Sequence, residues 1–178
     1  MKKNYLFLIL FAAFAMIFTG CKKDSSSSSN NGGNPTPPQP GTYGTVTVGN
    51  QSFSIVMGGY YVEYEEDIEA FEVGIALVDR ADVSEDFQSA IIVIPYYQTL
   101  PTGQFNFTLA DIPEQGDCGV AIDINDVLYV GTQGSASITK NGDNYTINAS
   151  GKAMNYNDVT ATETISISFT GPLVDDSK

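Results

Sequence analysis

The sequence contains no histidine and no tryptophan, and only two of its 178 residues are cysteines. Without histidine, the chain cannot form a Ser-His-Asp or Cys-His catalytic site, and the usual zinc sites, which need imidazole or several thiolates, are excluded as well. No glycine-rich phosphate-binding loop is present either. We therefore expect a protein that is not an enzyme. The enzymatic alternative is a carboxylate-dependent glycan hydrolase, which needs only two acidic side chains.

Basic residues are also scarce. Beyond residue 40 the chain has four basic and twenty acidic side chains, which gives this part a net charge of −16. A surface of that charge repels nucleic acid and anionic lipid headgroups. We expect no nucleic-acid partner.

The first twenty residues have the composition of a secretory signal peptide. Lys2 and Lys3 precede an apolar run over residues 5–18, which is shorter than the roughly 20 apolar residues of a membrane-spanning helix. The run ends in the stretch FTGC, residues 18–21. The pattern predicts a signal peptide over residues 1–20. An ordinary signal peptide followed by an incidental cysteine is the alternative interpretation.

Residues 18–21 resemble the lipobox of bacterial lipoproteins, with Gly20 and Cys21 in the expected places. The resemblance implies that Cys21 becomes the N-terminus and carries acyl chains such as palmitate on its sulfur and its amine. Two or more acyl chains anchor a protein stably, so the membrane is the expected partner. Lys22 stands where aspartate would signal retention in the inner membrane, and the similarity therefore implies a cell outer membrane lipoprotein.

Residues 21–41 combine the cysteine with a tract rich in serine, glycine and proline. Such a tract has too few apolar residues to fold, and it is predicted to be a disordered tether. Lipobox and tether together resemble the small envelope lipoproteins of Bacteroidota-type bacteria, some of which are sent to the cell surface. Surface exposure is favoured by the resemblance, and the leaflet that the protein faces stays open.

Residues 42–178 are predicted to form a single all-β domain. Phe71, Val73, Ile75 and Leu77 alternate with smaller or polar residues, and the stretch ISISFT at 165–170 alternates in the same way. A period of two is typical of a strand with one face on a core. Two-residue turn signals, such as Gly49-Asn50 and Asn141-Gly142, favour antiparallel hairpins.

These patterns predict about nine or ten strands in an antiparallel, meander-rich β-sandwich. A closed, calycin-like β-barrel is the alternative. The C-terminal hairpin and strand, over residues 134–153 and 165–173, also resemble the ending of all-β lipoproteins from the same bacteria. That similarity carries no active site with it.

Acidic side chains are concentrated between residues 63 and 86. Carboxylates are the ligands that Ca²⁺ prefers, although no EF-hand spacing is present. The candidate metal ligands are Glu63, Glu65, Glu66, Asp67 and Glu69. The alternative is a solvated hairpin end that binds no cation and needs no cofactor. A second, weaker candidate comprises Asp123, Asn125 and Asp126, for which an ordinary Asx turn is the alternative.

Tyrosines lie near the ends of several predicted strands. Tyrosine rings beside polar groups can form a platform on which sugar rings stack. The candidate ligand-binding residues are Tyr60, Tyr61, Tyr96 and Tyr97, and burial in the β-core is the alternative for each of them. Cys118 has no partner once Cys21 is lipidated, and it is interpreted as a small buried apolar residue.

The hypothesis that covers these observations is an outer-membrane-anchored, non-catalytic β-domain lipoprotein that binds a ligand, with carbohydrate as the first choice. An alternative is a structural or adhesive envelope protein whose edge strands pair with another subunit. A glycan hydrolase is the third hypothesis.

Overall fold

The computed structural model describes residues 41–66, 69–81, 87–110 and 113–177. The described residues from Thr42 onwards belong to one compact unit. Within these ranges no helix is long and apolar enough to cross a membrane. The strands are β1 (Gly44–Val48), β2 (Gln51–Ile55), β3 (Met57–Glu65), β4 (Ala70–Val78), β5 (Ser89–Pro95), β6 (Gly103–Phe107), β7 (Asp117–Ile124), β8 (Val127–Asn141), β9 (Asn144–Asn155), β10 (Asp158–Pro172) and β11 (Val174–Asp175).

The all-β prediction is confirmed. The eleven strands form one strongly curled, mixed sheet that makes a half-barrel, in the order β11-β3-β4-β5-β7-β6-β8-β9-β10-β1-β2. Most neighbours are antiparallel, as predicted, but the pairs β3–β11 and β6–β7 are parallel. These two parallel pairs were not predicted because β11 has two residues and β6 has five, which is too few for a clear period.

Strand β8 explains how β6 and β7 come to lie side by side. Its first half pairs with β7, where Val130 lies opposite Ala121, and its second half pairs with β6, where Ala136 lies opposite Phe105. The two shorter strands therefore follow one another along a single long neighbour. They overlap, in parallel, only near Cys118.

Strands β2 and β3 are two parts of one bent strand. The carbonyl of Ile55 still accepts a hydrogen bond from the N–H of Tyr43, beside β1, at 2.8 Å. The next N–H, that of Val56, donates to the carbonyl of Val78 in β4, also at 2.8 Å. The chain thus passes directly from the last strand of the sheet order, β2, to the second, β3.

One face of the sheet carries the hydrophobic core. In β10 the alternation is as predicted, because Ile165, Ile167 and Phe169 are at most 2% exposed whereas Ser166 and Ser168 are exposed. Burying such side chains stabilises the fold by about 1.5–3 kcal/mol each. Burial makes this face the interior and leaves the serines on the opposite face.

Strand β4 departs from the predicted pattern. Val73, Ile75 and Leu77 are fully buried, as expected, but Glu72 and Ala76 on the other face are only 5% and 2% exposed. The prediction of a strand with one buried face is therefore wrong here. Covering both faces of β4 leaves little of the Glu72 side chain exposed.

Candidate functional site

The acidic segment forms the end of the β3–β4 hairpin. Glu63 and Glu65 lie in β3 and are half-buried, whereas Glu66 and Glu69 lie in the turn and are exposed. The Glu69 N–H donates to the Glu66 carbonyl at 3.2 Å. Asp67 lies outside the described residues. The predicted metal ligands are thus divided between a strand and a turn.

A third carboxylate joins the two glutamates of β3. Glu72 lies directly opposite Glu63 on β4, and Glu65 lies on the same face of β3 because strand side chains alternate. One carboxylate oxygen from each of Glu63, Glu65 and Glu72 lies within 4.8 Å of the other two. We call these three residues the glutamate cluster. Glu72 was not among the residues predicted from the sequence, although the hairpin register, with Glu65 opposite Ala70, is the signal that would have found it.

The environment of Glu72 favours its neutral form. The side chain is 5% exposed, it has no hydrogen-bond partner among the described residues, and its carboxylate oxygens keep contact with solvent. Burial, followed by the charges of Glu65 and Glu63, raises its pKa from 4.5 to about 8. Desolvation and like-charge repulsion therefore both disfavour the ionised carboxylate of Glu72.

Tyr61 forms the apolar wall of the glutamate cluster. It lies opposite Gly74, on the same strand faces as Glu63 and Glu72, and its ring occupies the space that a Cβ at Gly74 would need. The ring is 7% exposed. Burial, and then the charge of Glu72, raises the pKa of the Tyr61 hydroxyl well above its ordinary value of 10.0.

The four tyrosines proposed as ligand-binding residues do not share one surface. Tyr60 and Tyr61 are successive residues of β3 and point to opposite faces. The Tyr60 hydroxyl donates to Asp175 at 2.7 Å, and the Tyr96 hydroxyl donates to the Pro113 carbonyl at 2.8 Å.

Tyr97 is the fourth tyrosine that was predicted to bind a ligand. It is half-buried and packs edge-on against Phe105, with 5.9 Å between ring centroids. Each of the four tyrosines thus has a structural contact of its own. The aromatic pair that is exposed is a different one, Tyr64 and Phe71, which are 53% and 37% exposed and lie edge to face at 5.3 Å.

Two residues of the second acidic candidate, Asn125 and Asp126, form the β7–β8 turn, whereas Asp123 lies in β7. Asn125 and Asp126 have φ angles of 53° and 62°, which is the left-handed pair that a two-residue type I′ hairpin turn requires. The Asn125 side-chain amide donates to the Gln51 side chain at 2.7 Å. These contacts account for the two turn residues without a ligand.

A large uncharged surface covers the sheet face opposite the core. The register places twelve short polar residues in two straight rows across β2, β1, β10, β9, β8 and β6. We call them the hydroxyl surface: Ser52, Thr47, Ser166, Ser150, Ser135 and Asn106 in one row, and Ser54, Thr45, Ser168, Asn148, Ser137 and Gln104 in the other. At about 4.8 Å between strands, each row is about 24 Å long.

The centre of the hydroxyl surface is recessed. A depression of about 310 Å³ is lined by Gln104, Asn148, five serines of the two rows, Ala149 and Ile167. The Ser137 hydroxyl donates to the Asn148 carbonyl at 3.4 Å. The other side chains of the hydroxyl surface make no hydrogen bond within the described part of the chain. Their donors and acceptors are therefore available to solvent or to a ligand.

The hydroxyl surface could not be predicted from the sequence because its members come from six strands that are far apart in the chain. Each strand shows only a serine or threonine at alternate positions, which is ordinary for a solvent-facing side. Comparisons of this chain with protein-family models, with curated proteins and with solved structures found no match.

Proposed function

We propose that this protein is an outer-membrane lipoprotein, anchored through Cys21, whose non-catalytic β-domain binds a neutral glycan on the hydroxyl surface. The observation that carries the proposal is the pair of rows of short hydroxyl and amide side chains. They contain no charged residue, although the chain beyond residue 40 has a net charge of −16.

The chemistry of the rows suits a polyhydroxylated ligand. Each serine or threonine hydroxyl can donate one hydrogen bond and accept others, and asparagine and glutamine amides also do both. Sugar hydroxyls have the same dual character. Short side chains have few rotamers, so ordering them on binding costs little entropy. A chain of sugars lying along a row would find a donor and an acceptor at every strand.

The distribution of charge favours a neutral ligand over an ionic one. The surrounding acidic domain repels an anionic polymer, and the rows offer no carboxylate with which to hold a cationic one. A neutral glycan meets neither obstacle. The tether of residues 21–41 would hold the domain away from the bilayer, where it can meet a polymer.

The test uses residues 21–178 with Cys21→Ser, which removes the acylation site. Binding to soluble neutral glucans, mannans and xylans is measured by affinity electrophoresis and by calorimetry. We expect saturable binding to one class that is lost in Ser166→Arg, because the longer, charged side chain fills the depression. Thr162→Arg is the matched control, since it makes the same change on the same face of β10 about 13 Å away.

Two results would contradict the proposal. One is the absence of saturable binding to any glycan in the panel. The other is binding that survives Ser166→Arg but disappears in Tyr64→Ala, which would move the site to the exposed aromatic pair.

A second candidate function, carboxylate-dependent glycan hydrolysis, is favoured by one observation. Glu72, with a pKa of about 8, holds a proton at neutral pH beside Glu63 and Glu65, as a general acid does beside a second carboxylate. Release of reducing sugar that disappears in Glu72→Gln would support this function over simple binding. The third possibility, an adhesive protein that pairs through its edges, is disfavoured because the outermost strands β11 and β2 have only two and five residues.

We also propose that the sheet closes as a calycin-like barrel instead of a sandwich. The bent strand β2–β3 belongs to both ends of the sheet order, and β2 lies against β4 and β7. The bond from Asn125 to Gln51 joins the β7–β8 turn to β2. Nuclear Overhauser contacts between the amides of β2 and the side chains of β4 would support closure, and their absence would favour the sandwich.

A further inference from the structure

The glutamate cluster lies on different strands from the hydroxyl surface and has a chemistry of its own. Its three carboxylate oxygens lie within 4.8 Å of one another. Calcium binds oxygen at 2.3–2.6 Å, so two oxygens on opposite sides of one ion are at most about 5 Å apart. The three oxygens are therefore close enough for small side-chain rotations to bring all three carboxylates onto a single calcium ion.

Glu72 supplies an independent sign that a ligand belongs here. Its side chain is about 95% buried, since only 5% is exposed, and its carboxylate points into the cluster. None of the described residues offers Glu72 a hydrogen bond or a basic side chain. A buried carboxyl group is neutralised either by a proton or by a bound cation, because an unpaired charge is costly to remove from water.

The neighbouring groups do not supply the missing positive charge. Glu63 lies directly opposite Glu72, and like charges placed opposite one another in a sheet repel. Tyr61, the next residue on that face of β3, can offer only an uncharged ring and hydroxyl. Across β4, Glu72 faces Pro95 of β5, which has no charge either.

We propose that Glu63, Glu65 and Glu72 bind one divalent cation, and that the cation is calcium. Three carboxylates can provide between three and six of the six to eight oxygens that calcium takes, and water can complete the shell. Magnesium, at 2.0–2.1 Å, would need oxygens no more than about 4.2 Å apart and a stricter octahedral arrangement. The bound ion would join the ends of β3 and β4 through Glu63 and Glu72.

This site differs from the one that the sequence predicts. It keeps Glu63 and Glu65, adds Glu72 from the opposite strand, and leaves the turn residues Glu66 and Glu69 in solvent. The difference can be tested because the two sets respond to different substitutions.

The test uses residues 21–178 with Cys21→Ser, freed of cations by chelation and titrated with calcium in a calorimeter. We expect one calcium per chain, and at least a tenfold weaker affinity in Glu72→Gln and in Glu63→Gln. Glutamine preserves the size of the side chain and removes its charge, and circular dichroism checks that each variant is folded. Glu66→Gln is the matched control, because it removes an exposed charge of the same hairpin, and its affinity should change less than threefold.

Terbium luminescence gives a second readout, which depends on the distance between the bound ion and a tyrosine ring. Terbium replaces calcium at oxygen sites and emits when a nearby tyrosine is excited. We expect tyrosine-sensitised emission that calcium displaces and that falls strongly in Tyr61→Phe, because Tyr61 is the tyrosine beside the cluster. Absence of calcium binding, or binding that is unchanged in Glu72→Gln and Glu63→Gln, would overturn the proposal. Equal affinity for magnesium would overturn the choice of calcium.

Discussion

Replacing Glu72 by glutamine should make the protein more stable, by an amount that grows with pH. The Glu72 carboxyl titrates near 4.5 when it is free and near 8 in the fold. Between these two values the folded state holds a proton that the unfolded state has released. The free energy of unfolding must therefore fall as the pH rises through this window.

The magnitude follows from the difference between the two pKa values. Each pKa unit corresponds to about 1.36 kcal/mol. The wild-type protein should therefore lose under about 1 kcal/mol of stability by pH 5, about 3 kcal/mol by pH 7 and about 5 kcal/mol by pH 9. Glutamine has the shape of the neutral acid and cannot ionise. The variant should thus match the wild type at pH 4 and exceed it by about these amounts as the pH rises.

The measurement is urea unfolding of both proteins at pH 5, 7 and 9, followed by circular dichroism. A chelator is present throughout, because a bound cation would stabilise the ionised carboxylate and hide the effect. Glu66→Gln is the control, since this exposed side chain should change stability by no more than about 0.5 kcal/mol at any pH. If Glu72→Gln loses as much stability as the wild type between pH 5 and pH 9, Glu72 is not the buried acid described here.

Three further predictions concern single residues. Gly74→Ala should cost about 1–3 kcal/mol in urea unfolding because its Cβ meets the Tyr61 ring; a similar loss in a Tyr61→Ala background would show that the ring is not the cause. Cys118 is fully buried, and burial and the charge of Asp117 raise its pKa to about 12. It should therefore not react with a thiol reagent at pH 8 until urea unfolds the protein. Rapid reaction under native conditions would contradict its burial. Cys21→Ser should abolish palmitate labelling and release the protein from membranes; a variant that stays in the membrane fraction after a carbonate wash would refute lipid anchoring.

The two proposed sites need not depend on one another. The hydroxyl surface is built on β1, β2, β6, β8, β9 and β10, whereas the glutamate cluster is built on β3 and β4. A variant that loses calcium should therefore keep its glycan affinity if the surfaces act separately. Loss of both functions in Glu72→Gln would indicate that the cation organises the whole domain.

Local patterns were sufficient to predict most of the strands. Residues 165–170 alternate between large apolar and small polar side chains, and a period of two can place such a segment only in a strand with one buried face. Gly49-Asn50 also marked a turn correctly, since it joins β1 to β2. The alternation pattern gave a wrong prediction for β4, where Glu72 is buried at a position that alternation assigns to solvent.

The all-β class of the domain could be derived from the amino-acid sequence alone, because alternation and turn chemistry act between residues that are close together in the chain. The sequence also supplied the predictions for residues 1–41, which rest on composition and on the resemblance at Cys21. Which side chains come into contact depends, in contrast, on the folded arrangement of the strands. Strand pairing places Glu72 opposite Glu63 and brings Ser52 into one row with Ser166 and Asn106. Sequence period specifies the face on which a side chain lies, but its neighbours on that face depend on the register of strands that are distant in the chain.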